Sequence, residues 1–532
     1  MFCAINIFKD VIKAVGRLTK KRESKMIFRP DLKELQLWDT WMFNEPQDRQ
    51  MHLFYLACKP GKRWEWVGHA MSKDLVHWEE LPPIQVRRPG DSYDVGMVGS
   101  GMVFSAKERG YVMSYTANLE GPRQGIGFMR SDDLINWKKC GDKPIIYAQP
   151  PYYETDPSKT PFNCPAFRDA YIHWVDDHYE ALIAAHSTSG EPLVRGCVAR
   201  YRCNDAELRE WKPLPPLMGP DVAMVMELPE YFQIGRKHYL IWAGSGSFGV
   251  RCAVPSRGNT SGTYYAVSDC YEGSYTPPEE NMLIGSGRWL SERLGFWDAC
   301  VGRTIYWRDE RLLYHQWAVK ASLGIPKIIQ QKSDGTLQVG YWPGLEGIHL
   351  NEINLPLSTI EALAWKLAVG EWKLMGKNAV RGSINRGPSI GVLKEGISAD
   401  LHLRCNIVNE SASRVGITLR DPVSPFSPPW GVAIQADFED GAWQFGQSRH
   451  VHCCYIVPSE SIVSPLEHGK SYQLDLIVRD IYFEAYVDGI WKFGRIIDKD
   501  AKEGGIGFFV EDGSAVFENI QAWKLEPMSH PS

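Results

Sequence analysis

Ser72-Lys73-Asp74-Leu75-Val76-His77-Trp78 returns 59 residues later as Ser131-Asp132-Asp133-Leu134-Ile135-Asn136-Trp137. Asn204-Asp205-Ala206-Glu207-Leu208-Arg209-Glu210-Trp211 is a looser copy, and Val267-Ser268-Asp269 opens a fourth. A strand-like run precedes each copy, as at Ile126 to Arg130, and a proline-rich turn follows, as at Leu81-Pro82-Pro83 and Lys143-Pro144. Short Ser and Asp side chains bond the local backbone and hold tight turns, and the closing Trp is placed to pack between neighbouring sheets. One four-stranded sheet per repeat, at a period of roughly 60–70 residues, gives about five units between residues 28 and 346. The pattern predicts an all-β chain whose first part is a five-bladed β-propeller, in which radial repetition leaves only short edges.

Outside the repeats the pattern changes. The segment before them, residues 1–25, carries Ile5, Phe8, Ile12, Val15 and Leu18 at helical spacing. Lys9, Asp10 and Lys13 interrupt any secretory core, so it reads as an amphipathic segment and not an export signal. The propeller domain is expected over 26–346, ending after Ser333-Asp334-Gly335-Thr336 and the run Leu337 to Trp342. Ser358-Thr359-Ile360-Glu361 has the form of a capping box. It predicts a short helix over Ala362 to Leu367 inside a linker at 347–370. Alternating segments then return at Leu401–Cys405, Leu474–Arg479, Tyr482–Val487 and Gly507–Glu511, with Asp488-Gly489 as a hairpin signal. Short strands at this spacing predict a β-sandwich over 371–527.

A chain of 532 residues is long enough for two such domains. Its net charge of −5, without any long Lys/Arg block, excludes the electrostatic footprint of a nucleic-acid binder. The expected partner is an uncharged small molecule or oligosaccharide. The 20 Trp and 23 Tyr suit both β cores and the stacking of rings on sugar faces. The 12 Cys show neither paired nor zinc-like spacing, which points to thiols in a reducing compartment and to no metal or other cofactor. No run has the length of a transmembrane span. A cytoplasmic location is the expectation.

Three acids sit in apolar or aromatic strands near the starts of successive repeats. They are Asp39 between Trp38 and Trp41, Asp169 in Ala166-Phe167-Arg168-Asp169-Ala170-Tyr171, and Glu227 in Val225-Met226-Glu227-Leu228-Pro229. A propeller brings the inner strands of its blades together at one end, so acids distant in sequence can meet. Retaining glycoside hydrolysis needs two carboxyl groups about 5–5.5 Å apart, one nucleophilic and one protonated. Burial in an apolar run raises a carboxyl pKa, as a general acid requires. A buried structural Asp, a surface ion pair and a strand-edge Glu are the respective alternatives.

At these residues the chain resembles glycoside hydrolase family 32, the invertase, inulinase and levanase family. His52-Leu53-Phe54-Tyr55 and Trp66-Val67-Gly68-His69-Ala70-Met71-Ser72-Lys73-Asp74-Leu75-Val76-His77-Trp78 are similar to its signature runs. Arg168-Asp169 matches the start of its Arg-Asp-Pro motif, and Glu227 stands at its acid/base position. The resemblance implies a propeller joined to a sandwich, and β-fructofuranoside cleavage through a covalent intermediate. It further implies Asp39 as nucleophile, Glu227 as acid/base, Asp169 as transition-state stabiliser and Arg168 as orienting group. Trp38, Trp41 and Trp66 would wall the sugar pocket. Ser100, in Gly99-Ser100-Gly101, and Trp297-Asp298 would complete it, with Asp298 the next candidate for the acid. Departures surround the site. Trp38-Asp39-Thr40-Trp41 is closer to the Trp-Asp-Ser-Trp of family-68 levansucrases, and Leu56, Ala170 and Leu228 replace the usual Gln, Pro and Cys. Three alternatives therefore stand beside the hydrolase: a fructosyltransferase, an inverting arabinofuranosidase of the related family 43, and a non-catalytic sugar-binding relative.

Overall fold

A computed structural model describes residues 36–45, 50–59, 64–86, 98–106, 110–119, 123–244, 261–285, 299–317, 322–362, 369–393, 400–421, 431–448, 456–497 and 504–526. The N-terminal segment 1–25, Trp297 and Asp298 lie outside the described residues.

Each repeat folds as an antiparallel sheet built in chain order. The first holds β1 (Gln36–Glu45), β2 (Gln50–Cys58), β3 (Trp66–Ser72) and β4 (Glu79–Gln85). The second holds β5 (Val98–Ser105), β6 (Tyr111–Asn118) and β7 (Gln124–Ser131), edged by the two-residue strands β8 (Lys138–Lys139) and β9 (Ile146–Tyr147). The third holds β10 (Phe167–Val175), β11 (His178–His186), β12 (Gly196–Cys203) and β13 (Lys212–Met218). The fourth holds β14 (Glu227–Ile234), β15 (Lys237–Gly244), β16 (Gly262–Ser268) and β17 (Met282–Gly285). These are four blades in a propeller arrangement. After them come β18 (Ala299–Trp307), β19 (Glu310–Trp317), β20 (Ser322–Leu323) and β21 (Lys327–Gln331), with β19 pairing β18, β20 and β21. The first strands β1, β5, β10, β14 and β18 neighbour one another in turn, and β18 also neighbours β1.

The repeated motif is the turn after the third strand of a blade. Ser72 Oγ accepts from the Leu75 amide at 2.8 Å, and Asp74 Oδ1 accepts from the Val76 and His77 amides at 3.0 and 2.8 Å. Asp133 does the same for Ile135 and Asn136, and Asp205 for Glu207 and Arg209. The leucine of each copy takes the left-handed region, with φ of 69°, 62° and 58° at Leu75, Leu134 and Leu208. That is unfavourable for a branched side chain. Burial of all three leucines offsets it, as does the Trp Nε1 that donates to each leucine carbonyl. Trp137 of the second blade then meets Phe54 of the first edge-on at 6.2 Å, and Trp211 of the third meets Phe128 of the second at 6.0 Å. Serine, aspartate and leucine make the turn; tryptophan joins the blades.

The compact units divide between Gln338 and Val339. Gly340 already pairs with Ile490, and the Tyr341 amide bonds Gly489 O at 2.7 Å, so the chain joins the second unit from that point. From residue 363 on, the helix expected over Ala362 to Leu367 lies outside the described residues. Leu357–Thr359 is a single 3-10 turn, Ile360 leaves helical backbone at ψ 124°, and Glu361–Ala362 pair with Val392 and Gly391 as a short strand. In the second unit the long strand Gly505–Leu525 is shared. Its residues 505–511 pair with Arg414–Asp421, 506–517 with Ala379–Leu393, and 515–524 with Leu401–Asn409. One core, including Leu403, Ile417, Leu476, Phe493, Phe508 and Phe517, lies among these strands.

Candidate active site

Near the start of each first strand the register slips: between Trp38 and Thr40, Gly99 and Gly101, Arg168 and Tyr171, Glu227 and Glu230, and Cys300 and Arg303. A bulge leaves a residue unpaired and re-aims it. The residues so released include Asp39, Ser100 and Asp169, and Glu227 is the last paired residue before its own slip. Asp39, Asp169, Leu228 and Val301 all have positive φ, at 27°, 62°, 48° and 54°. Left-handed backbone at non-glycine residues persists only where surrounding bonds hold it. Here those bonds run from blade to blade.

Ser100 Oγ donates to Asp39 Oδ2, linking blades one and two. Thr116 Oγ1 donates to Ser100 O at 3.0 Å and accepts from the Asp169 amide at 2.9 Å, linking blades two and three. The Leu228 amide donates to Asp169 Oδ2 at 3.3 Å, and Arg168 donates to Glu227 Oε1 at 2.5 Å, linking blades three and four. Arg168 Nε also lies 3.7 Å from Asp169 Oδ2. Asp39, Ser100, Arg168, Asp169 and Glu227 thus form one connected cluster, although separate blades supply them.

Burial dominates its electrostatics. It pushes the Asp39 carboxyl up to about 7, helped by the charges of Asp169 and Glu227 and opposed by the Ser100 hydroxyl and by Arg303. Burial raises Asp169 to about 7 as well, with Glu227 adding to the rise and Arg168, the Leu228 amide and Arg303 opposing it. Burial and neighbouring negative charge thus favour the protonated form of both acids. A cluster of this kind can attack, protonate and stabilise positive charge.

The aromatic residues divide. Trp38 is partly buried and stacks on Trp64 at 6.3 Å, and Trp66 is also partly buried. Trp41 does not wall an open pocket. It is 1 % exposed and packs on Phe54 at 6.4 Å inside the core of the first two blades. The register slip at Asp39 re-aims the acid, and Trp41, past the slip, resumes strand pairing with Phe54. The signature histidines are structural too. His52 and His69 are buried with ring nitrogens 2.8 Å apart, and burial lowers His69 to about 3. Sequence reading missed Thr116, Trp64, Glu230 and Arg303. Trp64-Glu65-Trp66 was the one visible signal, because a Thr, Glu or Arg in a strand carries no mark of what it will meet. Among the described residues no group of three His, Cys, Asp or Glu could hold a metal ion, and no helix is long and apolar enough to cross a membrane.

The model of the glycosyl hydrolases family 32 N-terminal domain matches residues 43–309. The chain belongs to family 32. It is 25% identical over 377 residues to β-fructofuranosidase, insoluble isoenzyme CWINV2, of Arabidopsis thaliana, an alignment covering 64% of this chain and 60% of that one. To sucrose:sucrose 1-fructosyltransferase of Festuca arundinacea it is 24% identical, over 58% of this chain and 49% of that one. The family-32 chain therefore spans about half to three-fifths of the length of these relatives. Among solved structures, the family-32 β-fructofuranosidase BmSUC1 of Bombyx mori superposes with a TM-score of 0.63 at 16% identity, covering 94% of each chain. Fructan 1-exohydrolase IIa of Cichorium intybus gives 0.61 at 16%, covering 95% of this chain and 97% of that one. At such identities the likeness is one of fold.

Proposed function

We propose that this family-32 chain is a retaining glycoside hydrolase acting on β-fructofuranosides of sucrose or fructan type, and that it works through a covalent fructosyl-enzyme. The observation that carries the reading is the cluster of Asp39, Asp169 and Glu227, supplied by three blades and tied together by Ser100, Thr116, Leu228 and Arg168. Asp39 attacks the anomeric carbon while Glu227 protonates the leaving oxygen. Glu227 then takes a proton from the water that releases fructose. Asp169, anchored through Oδ2, offers its other oxygen to the sugar hydroxyls as the oxocarbenium ion develops. Arg168 holds Glu227 in place, and Trp38, Trp64 and Trp66 supply the apolar wall. No cofactor enters this scheme.

We read the scaffold as a five-bladed propeller, with β18 to β21 as the fifth blade. The neighbouring of β18 with both β14 and β1 supports closure. We read the second unit as a β-sandwich, supported by the two sets of strands that share Gly505–Leu525 and one core. Cys58, Cys197, Cys203 and Cys405 are buried thiols, which fits a chain kept in a reducing, cytoplasmic setting.

A second reading, transfer of fructose to another sugar, is favoured by Trp38-Asp39-Thr40-Trp41 and by the relative named as a fructosyltransferase. One experiment tests both. Sucrose, inulin, levan and aryl fructosides are incubated with the enzyme in buffer containing methanol, and products are followed by NMR. Hydrolysis predicts fructose and methyl β-fructofuranoside of retained configuration. Oligosaccharides growing at high sucrose would favour transfer, an inverted product would sink the retaining mechanism, and inertness on all of these would sink the fructosidase reading.

A further inference from the structure

Arg303 is 3 % exposed and is named by neither the motifs nor the scheme above. Its strand, β18, neighbours β14 and β1, whereas β5 neighbours β1 and β10. Arg303 nevertheless donates from a terminal nitrogen to Gly101 O on β5 at 2.7 Å, so its guanidinium reaches past β1 to a blade that is not next to its own. Gly101 follows Ser100, the residue whose hydroxyl holds Asp39. On its other side, Arg303 Nε lies 3.5 Å from Glu230 Oε2. Glu230, 4 % exposed, also takes the Thr304 amide at 3.0 and 3.2 Å and the Thr304 hydroxyl. Arg311 donates to that hydroxyl at 2.8 Å.

We infer that Arg303 is a positioning residue for the reaction: its guanidinium spans the convergence of the first strands, fixes the Gly101 carbonyl one residue past the Ser100 whose hydroxyl holds Asp39, and holds a positive charge beside the reactive carboxylates. The inference rests on the reading of Asp39 as nucleophile. A buried guanidinium is costly unless every donor is used and a counter-charge is near. Glu230 supplies the counter-charge, and Thr304 saturates Glu230 so that it stays with Arg303. The groups facing Arg303 are Asp39 from β1, Asp169 and Tyr171 from β10, Glu230 from β14 and Tyr314 from β19. Among them it favours the ionised form of Asp39 and of Asp169. The bulge gives Asp39 its place; Arg303 opposes, in part, the rise that burial imposes on it.

The test is the pH dependence of kcat/KM, with kcat and KM resolved, for the intact enzyme on its best fructoside. The acid limb of that profile reports the nucleophile. Arg303→Gln should move the limb upward by about one pH unit, because a neighbouring cation is lost. It should lower kcat about tenfold or more because the Gly101 carbonyl beside Ser100 is no longer held, with KM within about threefold. Glu230→Gln leaves the cation uncompensated and should move the limb the opposite way, downward. Arg303→Lys keeps the charge but not the reach, so the limb should stay and kcat should fall. Should Arg303→Gln not fold, Glu230→Gln and Arg303→Lys still carry the test, since a purely structural role gives neither a downward limb nor a fall in kcat per folded molecule. Wild-type limbs in the folded glutamine variants, both glutamine variants moving in the same direction, or losses that only track the melting temperature would overturn the inference and leave the Asp39 assignment standing. A fully active Asp39→Asn would remove that assignment and this inference with it.

Discussion

In the proposed scheme Asp39 attacks as a carboxylate from a place that favours its acid form, and that conflict can be measured. Its carboxyl goes from 3.8 to about 7 on folding. A group raised in this way contributes stability that is fully present below about pH 4 and is lost as pH rises through about 7. Asp39→Asn cannot ionise, so it should melt higher than wild type at pH 8, by on the order of 2–4 kcal/mol. The gain should vanish at pH 4, and calorimetry at the two pH values decides it. The same variant should lose turnover on every substrate, because no covalent intermediate forms. Glu227→Gln should fail on sucrose yet keep more first-step activity on aryl fructosides, with azide rescuing the second step. Asp169→Asn should lose rate on good and poor leaving groups alike, since it acts on the ring. Each loss should be roughly a thousand-fold or more, on the order of 4 kcal/mol. Equal loss for Glu227→Gln on aryl and alkyl fructosides without azide rescue would remove it as the acid. All three acids were visible in the sequence because each interrupts an apolar or aromatic run. Trp41 misled for the same reason: flanking an acid in sequence does not fix which way a ring points once a bulge intervenes.

At the scale of elements, the site depends on the register slips more than on any blade as a whole. Ser100 reaches Asp39 because β5 breaks register beside β6, and the two backbones approach closely there. A Cβ on Gly101 would stand 1.7 Å from Ser114 O. Gly101→Ala should therefore force the strands apart, costing about 1–3 kcal/mol in stability, and displace Ser100. The predicted result is a lower melting temperature together with a fall in kcat of about tenfold or more. Thr116→Val keeps the shape but strips the Asp169 amide of its acceptor, and should cost about 1–3 kcal/mol. Urea titrations and steady-state kinetics on both variants check this; an unchanged kcat in either would mean that the blade-to-blade bonds do not position the acids. The turns that define the blades were legible because Ser, Asp, Leu and Trp each have a local partner within a few residues. The slips were not, because register is decided by the strand alongside and by bonds such as that of Thr116 to Asp169, 53 residues apart.

For the molecule as a whole, length alone called for two cores, and two compact units exist. Their division at Gln338–Val339 was not readable, because it is set by Gly340 meeting Ile490, 150 residues on. The short strand Glu361–Ala362 was not readable for a related reason, since its partner Ala379–Leu393 lies further along the chain. Each unit has its own buried core, and the residues of the second unit's core all belong to that unit. Unfolding should then be divisible by perturbations aimed at one unit. Phe508 is fully buried and meets Phe517 edge-on at 5.0 Å in the second core. Phe508→Ala should cost about 3–5 kcal/mol there, which for a unit of this size lowers its transition by on the order of 10 °C. If fructose binds at the acid cluster, as proposed, it should act on the first unit, adding about 2.7 kcal/mol at a hundredfold excess over its Kd. Differential scanning calorimetry should show two components, the substitution moving one and the sugar the other. A single transition shifted by both would mean that the units unfold as one cooperative body despite their separate cores.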